Sequence, residues 1–116
     1  MSLRAFHCHC EERSDWFGHP FIAFMCRLPA AGKYRVAIDA VKGPEQGLVQ
    51  LFVDEAPIGQ AVDLYAETRL KATGLNMAEM DLQEGDNVLL FKLIGKNKKS
   101  AALALDLINI VCERIR

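Results

Sequence analysis

Histidine and cysteine alternate at His7-Cys8-His9-Cys10, followed directly by Glu11 and Glu12, and these residue types are the ones that bind transition metals. Zinc asks for four ligands converging on a tetrahedron. On an extended strand successive side chains point to opposite faces, so His7 and His9 share one side while Cys8 and Cys10 share the other. One ion cannot reach all four, and a pair on one face would need help from elsewhere, such as His19 or Cys112. The expectation is a terminal strand with ordinary thiols and no metal site.

A second constellation is aromatic. Trp16-Phe17 stands beside Asp15 and His19 in a polar stretch, and Tyr65 follows Asp63 in another. A flat aromatic ring with polar groups around it suits a sugar, whose pyranose face stacks on the ring while carboxylates and amides hold its hydroxyls. Trp16, Tyr65, Asp15 and His19 are therefore the candidate ligand-binding residues. The competing reading makes Trp16 a plug at one end of the fold and Tyr65 the anchor of a wandering loop. Lys92, Lys96, Lys98 and Lys99 form a basic group with Asn97 and Ser100. A phosphate-binding loop is excluded, because Leu90 stands where its first glycine belongs and Asn97 replaces the Ser or Thr. An acidic polysaccharide fits such a group, and so does a solvated hairpin tip.

Catalytic signatures are missing. The sequence has no Gly-x-Ser-x-Gly elbow and no His-Glu-x-x-His helix, and no cysteine has an activating setting. Glycoside hydrolysis needs two carboxylates across a cleft. Asp39 and Asp54 could meet on neighbouring strands, as could any two outward acids. The chain reads as no enzyme, with no catalytic residue assigned.

The elements that must position these groups are strands. Period-two alternation runs through Lys33–Lys42, Gly47–Asp54, Asn87–Gly95 and Ala101–Cys112, with Pro20–Leu28 a fifth run and Leu3–Cys10 an edge strand. In the longest run Leu107 and Ile108 are consecutive apolar residues beside Asp106, which predicts a β-bulge. Asp106 itself lies in an apolar strand and must be hydrogen-bonded or ion-bound if buried. Gly, Pro and Asx residues mark turns at Pro29-Ala30-Ala31-Gly32, Gly43-Pro44-Glu45, Glu55-Ala56-Pro57 and Glu84-Gly85-Asp86-Asn87. Asp63–Thr73 has no apolar stripe and reads as a long irregular excursion with a short strand near Leu70. Short strands divided by turns predict an all-β antiparallel sandwich rather than βαβ units.

Composition sets the outer limits. The 116 residues are 51% hydrophobic and 25% charged, which suits a single globular domain, residues 1–116. A net charge of -1 removes the main electrostatic reason to expect nucleic acid or an acidic membrane as partner. No stretch is apolar for long enough to span a bilayer. Met1-Ser2-Leu3-Arg4 lacks the features of a secretory signal; an accessory domain excised from a larger protein is one reading of such a start. The four cysteines are too few for a disulfide scaffold. Cys26 and Cys112 fall in apolar runs where a thiol packs as a small hydrophobe. Reduced thiols are the favoured reading, one long-range disulfide the alternative.

Several of these segments look familiar together. Pro29-Ala30-Ala31-Gly32-Lys33-Tyr34-Arg35-Val36, Gly47 to Asp54 followed by Ile58-Gly59, and Leu82-Gln83-Glu84-Gly85-Asp86-Asn87-Val88-Leu89 resemble motifs of the carbohydrate-binding, galactose-binding-like jelly rolls attached to bacterial glycan-active or surface proteins. The resemblance covers roughly 21 to 111. It implies a jelly-roll sandwich, a non-catalytic role beside an enzyme or surface protein, and a parent protein that is secreted or cell-surface. It also implies calcium as a companion, with Glu11, Glu12, Asp15, Asp39 and Asp106 as available carboxylates; no other cofactor is expected. Glu55 departs from the pattern, standing where a glycine is usual, so a different hairpin turn is expected there. Two functions follow. One is carbohydrate binding through Trp16 or Tyr65. The other is an assembly module whose outer apolar residues Ala37, Val41, Leu48 and Phe52 pack on an adjacent domain or in a homodimer.

Overall fold

A computed structural model of the chain describes residues 8–11, 21–102 and 104–115, the first four as backbone. Eight strands form: β1 Cys8–Glu11, β2 Phe21–Leu28, β3 Gly32–Lys42, β4 Leu48–Val53, β5 Ala56–Asp63, β6 Leu70–Leu82, β7 Gly85–Gly95 and β8 Ala104–Arg114. There is no helix among the described residues. One sheet has the order β1-β8-β3-β6 and the other β2-β7-β4-β5, and every strand pair is antiparallel. The expected all-β antiparallel sandwich is the observed fold.

Alternation explains why the sheets face each other. Tyr34, Val36, Ile38 and Ala40 of β3 are buried against Leu89, Phe91 and Leu93 of β7 and Val49 and Leu51 of β4, in one apolar cluster. Full burial of each large side chain is worth roughly 1.5–3 kcal/mol relative to exposure. Tyr34 buries its ring and donates its hydroxyl to Ala30 O at 2.7 Å, which ties the turn before β3 to the strand. Asn87 does the same before β7, donating to Gln83 O at 2.8 Å and Gly85 O at 3.2 Å.

The bulge expected in the last strand is present. Asp39 of β3 opposes Asn109 and Ala40 opposes Leu107, leaving Ile108 as the extra residue of β8. The slip keeps Leu105 and Leu107 before it, and Ile110 and Cys112 after it, turned inward and fully buried.

Three expectations need correction. The short strand expected near Leu70, at the end of the stretch read as an irregular excursion, is the start of the 13-residue β6, which runs on to Leu82, and the hairpin expected to reach Ile58-Gly59 continues as β5 to Asp63. Both are edge strands with disturbed alternation: β5 is exposed at most positions, and β6 opposes β3 through two register shifts. Secondly, the β4–β5 turn does not change to suit Glu55. Val53 pairs with Ala56, and Asp54 and Glu55 take φ of 50° and 67°, the two-residue left-handed turn that normally wants glycine. Glu55 accepts a strain of about 1 kcal/mol instead. Thirdly, the four residues proposed as one assembly patch divide between two faces. Ala37 and Val41 alternate with the core of β3 and face out of the first sheet. Leu48 and Phe52 alternate with the core of β4 and face out of the second.

Candidate functional site

The connections divide by length between the two ends of the sandwich. At one end lie the short turns after β2, β4 and β6. At the other lie the longer crossovers after β3, β5 and β7, with described residues 43–47, 64–69 and 96–102. Backbone hydrogen bonds strap these three together: Gly43 N donates to Leu64 O at 3.0 Å, Leu64 N to Gly47 O at 3.1 Å, Ala101 N to Pro44 O at 2.7 Å and Gly47 N to Ala104 O at 3.0 Å. Leu64 is fully buried beneath them. The strands flanking residues 12–20 belong to the same end, since Glu11 pairs with Ala104 and Phe21 with Lys92. Asp15, Trp16 and His19 themselves lie outside the described residues, as does His7.

Tyr65 is half-buried at this end. Its backbone N–H donates to Asp63 Oδ1 at 2.9 Å, and it bridges to Gly43. The other oxygen of the same carboxylate accepts from Asn97 Nδ2 at 2.7 Å, and Asn97 Oδ1 accepts from Lys99 N at 3.0 Å. Asp63 thus fixes the segment of Tyr65 and the basic loop to each other. Lys96, Lys98 and Lys99 are exposed there. Lys92 is not part of that loop; it lies within β7 with its ammonium 5.5 Å from the Phe52 ring centroid, over the outer face.

Behind the crossovers sits a polar group that alternation alone could not locate. Asp106 is 3% exposed, on the side of β8 opposite Leu105 and Leu107. Gln46 Nε2 donates to its Oδ2 at 3.0 Å, and the Arg69 guanidinium comes within 3.7 Å of the same oxygen. Gln46 is 1% exposed and Ser100 8%, and the Ser100 hydroxyl donates to Gln46 O at 2.9 Å. Among the described residues, Gln46 Oε1 is the buried side-chain oxygen with no hydrogen-bond partner. Only Asp106 carried a sequence signal, as an acid inside an apolar strand. Gln46, Arg69 and Ser100 come from three crossovers distant along the chain: Gln46 follows the Gly43-Pro44-Glu45 turn, Arg69 lies in the stretch read as an irregular excursion, and Ser100 in the basic group read as a hairpin tip.

This surrounding does not fit calcium at Asp106. Calcium asks for six to eight converging oxygens, whereas Asp106 Oδ2 faces a guanidinium and an amide N–H. Asp39 offers little more, because its Oδ1 accepts from Gly74 N at 2.9 Å, closing the gap beside the β6 bulge. The suggested meeting of Asp39 and Asp54 also does not occur. Asp39 lies on β3 of one sheet, whereas Asp54 lies in the β4–β5 turn of the other, at the short-turn end.

A groove of about 340 Å³ opens between the edge strands β5 and β6, lined by Gly59, Gln60, Ala61, Val62, Asn76, Met77 and Ala78. Its described lining has two amides but neither an aromatic ring nor a carboxylate.

No protein-family model matches this chain, and no curated protein does. Solved structures share its fold. Part of a Paenibacillus xanthan lyase superimposes with a TM-score of 0.70 at 19% identity, over 97% of this chain and 12% of that one. Part of a ruminal GH26 endo-β-1,4-mannanase superimposes with a TM-score of 0.55 at 17% identity, over 90% of this chain and 21% of that one. At such identities the likeness establishes the antiparallel sandwich. The chain spans a small fraction of each of those enzymes.

Proposed function

We propose that this chain is a non-catalytic, carbohydrate-binding-like accessory module of the galactose-binding-like jelly-roll kind, which holds a glycan at its crossover end. The observation that carries the reading is convergence. Tyr65, Asp63, Asn97 and the Lys96–Lys99 loop share that end with Glu11 and Phe21, the strand residues between which the chain carries Asp15, Trp16 and His19. Two of the structures sharing the fold are parts of enzymes named for polysaccharides, a xanthan lyase and a mannanase, which supports a glycan over other small ligands.

The test is tryptophan fluorescence during titration with oligosaccharides cut from xanthan and from β-1,4-mannan, since Trp16 is the sole tryptophan. A saturable shift is expected. Tyr65→Ala is expected to weaken binding roughly tenfold, about 1.4 kcal/mol, with an unchanged thermal midpoint. No shift for either glycan, together with unretarded migration in gels containing the polymers, would overturn the reading.

A second reading rests on a different surface. Across the outer face of the β2-β7-β4-β5 sheet, Ala23, Leu90, Phe52 and Pro57 fall in one register row, with Met25 opposite Val88 beside it. Phe21, Met25 and Val88 are each more than half exposed. An apolar sheet face of this kind suits assembly with a second copy of the chain.

A further inference from the structure

Cys26 and Cys112 are the point where the two sheets bring reactive atoms together. Cys26 lies near the end of β2 and Cys112 near the end of β8, in opposite sheets. Both are fully buried, and the Cys26 thiol donates to Cys112 Sγ across 3.6 Å. A disulfide needs about 2.05 Å, so the sulfurs must close by roughly 1.5 Å. β2 can yield that distance because it is an edge strand, bonded on one side to β7 alone.

We infer that Cys26 and Cys112 are a disulfide-forming pair that staples the two sheets when the chain folds in an oxidising environment. The reaction is thiol–disulfide exchange with a small disulfide such as oxidised glutathione. One protein thiolate attacks a sulfur of the oxidant, expelling one glutathione thiolate and leaving a mixed disulfide. The second protein thiolate then attacks the protein sulfur of that bond, expelling the second glutathione. Two electrons pass from the cysteines to the oxidant, and their two protons end on the released glutathiones at neutral pH.

The folded chain is a poor substrate for its own oxidation. Burial, reinforced by the neighbouring Cys26, pushes the Cys112 thiol up to about 12. Only the thiolate reacts, and neither sulfur is open to an oxidant. The bond therefore forms while β2 and β8 are docking and closes slowly or not at all afterwards. This staple is independent of glycan binding.

The experiment compares two histories of the Cys8→Ser/Cys10→Ser variant, from which the competing thiols are gone. One sample is refolded from denaturant in a glutathione redox buffer; the other is folded reduced and then given the same buffer at pH 8. Both are alkylated, digested and mapped by mass spectrometry. The refolded sample is expected to lose 2 Da and to yield a peptide cross-linked between Cys26 and Cys112. Its thermal midpoint should lie about 10–15 °C above the reduced form, as closing so long a loop implies. The sample oxidised after folding should remain largely reduced. Recovery of only glutathione adducts or reduced thiols after refolding would overturn the inference, and so would a lower midpoint in the oxidised form. Equal oxidation by both routes would overturn the part assigned to burial. Should the variant not fold, the same mapping on the natural chain reads the linkage directly.

Discussion

Asp106 is a carboxylate placed where strand alternation would leave an exposed side chain, and two crossovers close over it. Its Oδ2 takes the Gln46 amide and the nearby Arg69 guanidinium. Arg69 keeps 59% of its side chain exposed while Asp106 keeps 4%, so the pair is neither a surface ion pair nor a buried one. Surface pairs are worth under about 1 kcal/mol, and removing one partner of a buried pair costs about 3–5 kcal/mol. Arg69→Ala should therefore destabilise the chain by about 1–2 kcal/mol in urea denaturation, with Arg69→Lys recovering part of the loss. A change below about 0.3 kcal/mol would mean that solvent screens the pair completely. At this scale the sequence was half legible. An acid in an apolar run demands partners, which singled out Asp106, but Gln46 lies 60 residues away and nothing in a Gly-Pro-Glu-Gln turn announces it. Tyr65 was singled out as an aromatic ring following Asp63 in a polar stretch; the structure adds that Leu64 beside it is fully buried while Tyr65 is half-buried.

Elements were legible where alternation is continuous, the edge strand β2 included, and obscure where exposure or register shifts break it, as in β5 and β6. β3, β4, β7 and β8 are the inner strands of their sheets, and their apolar alternation is readable, with a slip at the β8 bulge. β5 and β6 are outer strands broken by bulges, and their side chains alternate against solvent as often as against core. Their join is nonetheless specific. Gly59 has φ of 73°, and a Cβ built there would sit 2.2 Å from Met77 O, a backbone atom of the other sheet. Gln50 fills the disturbed ladder beside it, donating to Ile58 O at 2.9 Å and Gly59 O at 3.2 Å. Gly59→Ala should then cost more than about 2 kcal/mol, because the strain of a positive φ adds to a steric clash that backbone must absorb. Gly74→Ala is the internal control. Its φ is 65° with nothing within 4 Å of the added carbon, so it should cost about 1 kcal/mol. Equal losses in the two variants, read from their urea midpoints, would show that β5 and β6 do not bear on each other.

At the scale of the whole molecule, two surfaces compete for a function. The crossover end collects polar and aromatic groups, whereas the outer face of the second sheet carries the row of Ala23, Leu90, Phe52 and Pro57. Alternation made each strand's outer residues readable one strand at a time. It could not show which strands share a sheet, and so Ala37 and Val41 were grouped with residues of the opposite face. With the strand order known, the apolar outer row runs through β2, β7, β4 and β5, and it is self-complementary in the sense that a two-fold axis would lay it on its own copy. Sedimentation velocity at increasing concentration tests this directly. If the face assembles, the natural chain should dimerise and Met25→Glu, which places a charge at a position 61% exposed, should shift the equilibrium toward monomer by tenfold or more without changing the thermal midpoint of the monomer. A natural chain that stays monomeric to about 100 μM, weaker than ~5.5 kcal/mol, would leave that face without a partner copy. Because Met25 lies within β2 and away from the crossover end, Met25→Glu should leave any glycan titration unchanged. The two surfaces can thus be judged separately, and a chain that both dimerises and binds glycan would use each for its own purpose.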